Sequence, residues 1–386
     1  MAPTPVYLDC HATTPVDQRV LDAMMPYFTE RFGNPASASH AWGWRAQEAV
    51  DKARRQVATL IGALAREVAF TSGATESNNW AIQGVAASAA PGRRHIVVSA
   101  IEHKAVLEPA RLLEAQGWRL TVMPVEPDGR LNLDTVRDAV TPDTALVSVM
   151  MANNEIGVIQ PIAEIGAIAR AAGALMHVDA AQAVGKIPVD VAGMQIDLLS
   201  LTGHKFYGPK GCGALYVRKR TRLAPLLSGG GQERGMRAGT LNVPGIVGLG
   251  AACAVSQTGM ADEAMRTSRL RDTLLDGLTA RLGRVVVNGS VAERLPNNLH
   301  VTFEGIDGDA LMIAIGDIAV SAGAACGSAS AAPSHVLTAI GGDKTPGAVV
   351  RFGLGRHTTG ADIDYAIDRF STVVRHLRET APASTR

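Results

Sequence analysis

A lysine set between a histidine and an aromatic residue occurs in Ser200-Leu201-Thr202-Gly203-His204-Lys205-Phe206-Tyr207-Gly208-Pro209-Lys210-Gly211, where an apolar strand candidate ends in a polar turn. A lone lysine is usually a solvated charge, because ammonium groups are seldom buried without a partner. Upstream, Leu175-Met176-His177-Val178-Asp179-Ala180-Ala181-Gln182 places an aspartate directly after another apolar strand candidate. On its own that aspartate reads as a helix N-cap. An acid after one strand and an amine after the next, at the strand ends where open α/β sheets gather ligands, suit pyridoxal phosphate: its aldehyde takes a lysine and its ring nitrogen an acid partner. A phosphate also needs a cradle. Phe70-Thr71-Ser72-Gly73-Ala74-Thr75-Glu76-Ser77-Asn78-Asn79 offers a strand, a small-residue turn and a helix start whose N–H groups and dipole attract an anion, or else an ordinary capped helix. The glycine-rich run from Gly229 to Thr240 is a second candidate anion loop or a flexible turn.

Three further residue types fit this chemistry. Cys326 stands among Gly, Ala and Ser in Val320-Ser321-Ala322-Gly323-Ala324-Ala325-Cys326-Gly327-Ser328-Ala329-Ser330. An isolated cysteine is commonly a packed hydrophobe, but these small neighbours would let a thiol travel. Val350-Arg351-Phe352-Gly353-Leu354-Gly355-Arg356 offers two arginines, each a planar donor for a carboxylate or half of a structural ion pair. His103 follows an apolar strand candidate and has a side chain that can stack and move protons near neutrality. Cys10, Cys212 and Cys253 read as packing residues, and the absence of a C-x-x-C spacing suggests neither zinc nor disulfides.

The elements that must position these groups are legible as β-branched runs: Val68 to Phe70, His95 to Ser99, Leu120 to Val125, Ala145 to Met150, Ala174 to Val178, Leu198 to Leu201 and Gly213 to Val217. Helical patterns lie between several of them, such as Val50, Ala53, Val57 and Leu60 on one face with Gly62 to end it. The alternation predicts an α/β fold with a mostly parallel sheet covered on both sides. Near Gly259 the texture changes to a polar helical stretch with Met265, Leu270, Leu274, Leu278 and Leu282 on one stripe. We read a domain boundary there: an N-terminal segment 1–14 associated with the small domain, a large domain 15–258, and a small α+β domain 259–386 with strands near 298–303 and 348–352 and a closing helix around Ile363 to Leu377. Residues 381–386 read as a disordered tail. Lys and Arg number 37 against 36 Asp and Glu, a net charge of +1 over 386 residues, so no bulk field draws nucleic acid or membrane phosphates. No basic-then-apolar leader opens the chain, and no apolar run approaches a bilayer span, so a soluble cytoplasmic protein is expected.

Taken together, Tyr7-Leu8-Asp9, Ala12-Thr13-Thr14-Pro15, Gly73-Ala74-Thr75-Glu76-Ser77-Asn78, Glu102-His103, Asn153-Asn154-Glu155-Ile156-Gly157 and His204-Lys205 with Tyr207-Gly208-Pro209-Lys210-Gly211 cover nearly the whole chain and resemble the cysteine desulfurases, class V, fold-type I pyridoxal 5'-phosphate enzymes. The resemblance implies a seven-stranded large domain, a homodimer with sites at its interface, and conversion of L-cysteine to L-alanine with a persulfide on Cys326 that passes to a sulfur-acceptor protein. It assigns Lys205 as the Schiff-base lysine, Asp179 to the ring nitrogen, Gln182 to the phenolic oxygen, and His103 to stacking and acid-base work. Phosphate contacts fall to Ala74, Thr75, Thr202 and His204, with Thr240 reaching the other subunit's phosphate, and Asn154 and Arg351 take the substrate carboxylate. No metal is implied. Thr202 stands where the family usually has serine, and Ala324 and Gly327 replace the flanking residues of its Ser-Gly-Ser-Ala-Cys-Thr-Ser loop. A selenocysteine lyase or a class V aminotransferase are the alternatives.

Overall fold

The computed structural model describes residues 5–322 and 334–380. The chain opens with β1 (Val6–Tyr7), α1 (Gln18–Met24), α2 (Pro26–Thr29) and α3 (Ala41–Leu60). Helix α3 buries Val50, Ala53, Val57 and Leu60, and ends two residues before Gly62, whose φ of 70° suits a residue without a side chain. There follow β2 (Val68–Thr71), α4 (Ala74–Ser88), β3 (His95–Ser99), α5 (Lys104–Ala115), β4 (Arg119–Met123), α6 (Leu133–Ala139), β5 (Thr144–Ser148), α7 (Ile162–Ala171), β6 (Leu175–Asp179), β7 (Leu198–Thr202) and β8 (Gly213–Val217).

Seven of these strands form one sheet in the order β2-β8-β7-β6-β5-β3-β4. Neighbours from β7 through β4 run parallel, while β8 lies antiparallel to both β2 and β7. Strands β3, β5, β7 and β8 are buried at every position, as a sheet covered on both faces requires, whereas the edge strand β4 is half exposed. Alternate residues feed two cores. Val97, Val178 and Leu199 pack with α3 on one face, and Ile96, Leu146 and Leu198 pack with Trp80, Ile82 and Val106 of α4 and α5 on the other.

Helix α8 (Val243–Leu282) is 40 residues long and runs without a break through 258 and 259. Its Ile246, Leu249 and Cys253 belong to the core of the large sheet, and its Leu274 and Leu278 to a separate core. The change of texture near Gly259 thus marks the helix passing from one core to another, with no interruption of the backbone. Contrary to the expectation that no run is long and apolar enough for a bilayer, α8 contains an 18-residue window of mean hydropathy 1.2. Half of that window is buried inside the protein, as befits a core helix.

The second core is built on β9 (Val285–Val287), β10 (Asn298–Glu304), β12 (Ser321–Ala322) and β13 (Gly347–Gly353), an antiparallel sheet in the order β12-β13-β10-β9, while β11 (Ile318–Ala319) pairs in parallel with β1. Helices α9 (Gly308–Ala314), α10 (His335–Ala339) and α11 (Gly360–Thr380) complete it, with Phe370 of α11 stacked on Phe303 and edge-on to Phe352. The N-terminal segment therefore serves both bodies: β1 joins the smaller one, and the residues after it enter the larger.

Candidate active site

A cavity of about 830 Å³ opens at the C-terminal ends of the parallel strands. It brings together Ala74, Thr75, His103, Asn154, Asp179, Gln182, Thr202, His204, Lys205 and Arg351. Thr240 is exposed and is not among the lining residues, and the run 229–240 contributes none of them. Cys326 lies outside the described residues.

Asp179 ends β6 and is buried at 5% exposure. Asn78, on the second turn of α4, donates from Nδ2 to its Oδ2 at 2.7 Å, and the Ala181 N–H donates to Oδ1 at 3.0 Å. The second bond is the local turn cap expected of an aspartate here; the first crosses between elements and aims the carboxylate. Lys205 closes a short 3₁₀ turn (Gly203–Lys205) directly after β7. Its Nζ donates to the carbonyls of His11 and Ala12 at 2.6 and 2.7 Å. The same N-terminal segment grips the rest of the turn: Thr13 Oγ1 is 3.1 Å from His204 Nδ1, Thr14 Oγ1 donates to the His204 carbonyl, and the Tyr207 N–H donates to Thr14 Oγ1.

At the other end of the cavity, Gly73 caps α4 with φ 151°. A side chain there would be strained, and its Cβ would sit 3.4 Å from Thr202 Oγ1. Gly213 on β8 comes closer still, since a Cβ on it would lie 2.7 Å from Gly73 Cα. The strand and the helix start thus meet through glycine, leaving Ala74, Thr75 and Thr202 around an opening at the positive end of a 15-residue helix. Glu76 in this first turn is paired with Arg237 at 2.9 Å, so the glycine-rich run supports the cradle from behind.

His103 is the N-cap of α5, its Nδ1 accepting from the Ala105 N–H at 3.1 Å. That contact places its proton on Nε2. Burial holds its pKa below the ordinary histidine value, against the opposing charge of Asp179, so the ring is neutral at pH 7. His204 is likewise depressed, to about 4, by burial and then by the Lys205 charge. The neighbouring Glu102 is fully buried and pushed up to about 8 by burial, with Ser99 Oγ and the Met150 N–H both donating to Oε1.

Arg351 on β13 lines the cavity at 7% exposure with its guanidinium already engaged: to the Asn154 carbonyl at 2.9 Å, and to Asp9 Oδ1 and Ser321 Oγ, each at 2.8 Å. Its Nε is buried with no hydrogen-bond partner. The guanidinium is held in place from both bodies, by Asn154 of the larger and Ser321 of the smaller. Sequence reading did not single out His11 or assign a role to Asn78 and Asp9, although Asn78 and Asp9 stand inside recognised motifs. Their partners are distant in sequence, and only the fold brings them near.

The family model described as aminotransferase class-V matches residues 6–366. The cysteine desulfurase IscS of Anaeromyxobacter sp. (strain K) is 54% identical over 381 residues, covering 98% of this chain and 94% of that protein. Among solved structures, a NifS-like protein superposes with a TM-score of 0.91 at 39% identity, covering 97% of this chain and all of that one. SspA in complex with cysteine superposes with a TM-score of 0.80 at 37% identity, covering 92% of this chain and 100% of that one. With a family match over nearly its full length and curated relatives at this identity, the chain belongs to the class-V aminotransferase family and, within it, to the cysteine desulfurases.

Proposed function

We propose that the protein binds pyridoxal 5'-phosphate in the cavity described above and converts L-cysteine to L-alanine, retaining the sulfur as a persulfide on Cys326. The observation that carries the reading is the grouping of three unlike sites on one cavity: the Lys205 amine, the clamped Asp179 carboxylate and the glycine-lined helix start at Gly73-Ala74-Thr75. The fit is specific. A cradle without side-chain bulk suits a phosphate, a buried carboxylate aimed by Asn78 suits a protonated ring nitrogen, and an amine at the strand end suits an aldehyde.

Lys205 would hold the cofactor, Asp179 its ring nitrogen, Gln182 its phenolic oxygen, and Ala74, Thr75, Thr202 and His204 its phosphate; when bound it supplies an electron sink for charge developing at the substrate's Cα. The protein's own groups do the rest. Arg351 and Asn154, both on the cavity wall, hold the substrate carboxylate. Lys205, steadied by the His11 and Ala12 carbonyls, takes the Cα proton, and His103 presents its Nε2–H at the cavity as a proton donor and as a flat ring to stack. Cys326, as thiolate, attacks the substrate sulfur: the Cβ–S bond breaks, an S–S bond forms, and alanine leaves once a proton replaces sulfur at Cβ. The neighbour solved with cysteine supports that substrate class.

The persulfide then passes to an acceptor protein. Thr240, exposed in the single chain, is assigned to the phosphate of a second copy in a homodimer. Free, buried Cys10, Cys212 and Cys253 fit a reducing cytoplasm. Lys205→Ala is expected to lose the visible absorbance of the bound cofactor, and Cys326→Ser to keep it while releasing no sulfide from cysteine in the presence of a thiol reductant. A Cys326→Ser protein that still carries a persulfide would overturn the assignment of the nucleophile.

A further inference from the structure

Gln182 has two ends alike in shape and opposite in chemistry: a carbonyl that accepts and an amide nitrogen that donates. It lies four residues before Lys186 in the turn after β6, where the Ala183 and Val184 N–H groups donate to the Ala180 carbonyl and the Lys186 N–H to the Ala183 carbonyl. Helix-like bonding puts the two side chains on one face. Lys186 Nζ donates to Gln182 Oε1 at 2.8 Å. Burial lowers the Lys186 pKa to about 7, and in its protonated form it has donors and no acceptor, so only the carbonyl end of Gln182 can then satisfy it. His11 Nδ1 donates to the same oxygen at 3.0 Å.

The amide nitrogen is thereby turned the other way. It donates one N–H to the His11 carbonyl at 2.9 Å and has a second to offer, on a side chain that lines the cavity at 4% exposure. Reversing the amide would set Nε2 against the Lys186 ammonium, donor to donor, and Oε1 against the His11 carbonyl, acceptor to acceptor. Two favourable contacts would become two repulsive ones.

We propose that Lys186 is a positioning residue that fixes the polarity of the Gln182 amide, so that an N–H and never a carbonyl faces the phenolic oxygen of the cofactor. This role rests on the pyridoxal phosphate reading and adds to it a residue that does not line the main cavity. The groups facing Lys186 besides Gln182 are Lys205 and Tyr207 from the lysine turn, Cys10 and His11 from the N-terminal segment, Glu263 from α8 and, at longer range, Arg351 from β13. Removing the lysine therefore changes both the amide and the local field, and the experiment must separate them.

The test is a pH titration of the visible band of the pyridoxal phosphate-loaded protein. A donor on the phenolic oxygen stabilises its anionic form and lowers the midpoint; its loss should raise the midpoint by about one pH unit in Lys186→Met, the effect of one hydrogen bond to a charged group. Lys186→Arg, which keeps a donor-only head, should restore most of the shift. In a Gln182→Ala background, Lys186→Met should move the midpoint much less, by the change of local field alone. A midpoint unmoved by Lys186→Met, or moved equally in the Gln182→Ala background, overturns the role. If Lys186→Met does not fold, Lys186→Gln, which keeps the volume and a polar end, is read against the same two outcomes. A wild-type protein that takes up no cofactor and shows no band overturns the cofactor reading itself.

Discussion

At the scale of single residues, the site depends on second partners that hold its chemical groups. Asn78 is the clearest case. Its bond to Asp179 is buried and ends on a carboxylate, the kind worth about 1.5–3 kcal/mol, so Asn78→Ala is expected to weaken cofactor binding by about 10- to 100-fold, measured by fluorescence titration of the apoprotein. Asn78→Asp should do worse, since it sets a second carboxylate against the first. Arg351, inside β13, was chosen over Arg356 by the family resemblance, while the amine and the acid were legible from residue type and position after apolar strands, because those signals are local. Asn78 was not: its partner is 101 positions away, and an asparagine one turn into a helix reads as a solvated side chain until the fold sets β6 beside α4. His11 escaped notice for the same reason, as it acts through its carbonyl, a group every residue has.

At the scale of elements, the segment from Asp9 to Asp17 is a strap. It pairs with β13 at Gly353, offers Asp9 to Arg351, and holds the lysine turn through His11, Ala12, Thr13 and Thr14. Arg356 fastens it from the smaller body, bonding Asp17 at 2.5 Å and Glu263 of α8 at 2.8 Å while lying 4.0 Å over the ring of Tyr207. Removing this half-buried cation leaves Asp17 with Arg19 alone and Glu263 with the Tyr207 hydroxyl alone. Arg356→Leu is expected to cost about 2 kcal/mol and about 2.5 °C in the thermal midpoint, read by calorimetry, less than a fully buried pair because solvent reaches this one. Lysine at 356 should recover only part of it, lacking the fork that reaches both acids. All seven strand positions of the large sheet were visible in the sequence, since β-branched runs bounded by polar turns carry their own signal. The continuity of α8 was not, because hydropathy reports which face a residue is buried against and says nothing about whether the backbone breaks when that face changes.

At the scale of the whole molecule, buried ionisable groups set opposing pH limits. His177, between Ser148 and Ser200 in the middle of the large sheet, and His300, on Asn288, are both held near 3 by burial. Both stay neutral in the folded state, so the unfolded chain takes up more protons below its ordinary histidine value of 6.5, and stability is lost as pH falls from there toward about 3. Glu102 works in the other sense: held protonated up to about 8, its contribution is full below 4.5 and lost as pH rises to 8. His95 and His204, both held near 4, act in the same sense as these two histidines, so stability should fall as pH drops below 6.5, while above pH 7 the Glu102 loss is opposed by Lys186, held near 7 by burial, and the curve should flatten. Urea unfolding across this range checks the shape, and Glu102→Gln, which removes a loss spread from pH 4.5 to 8, should steepen the rise between 4.5 and 6.5 and lift the curve above 6.5 relative to its acid end. A peak below pH 5 would contradict the assignment.

Helix α8 is a rod of 40 residues, about 60 Å long, gripped by a different core at each end. Its length is therefore a gear setting. One residue inserted near Gly259 would turn Leu274 and Leu278 by about 100° relative to Ile246 and Leu249, prying one core from its helix, whereas seven would restore the phase within about 20° but carry the smaller body about 10 Å along the axis. Neither change leaves Arg351 over the cavity. The distance and azimuth between Arg351 and Lys205 are written in a residue count far from both.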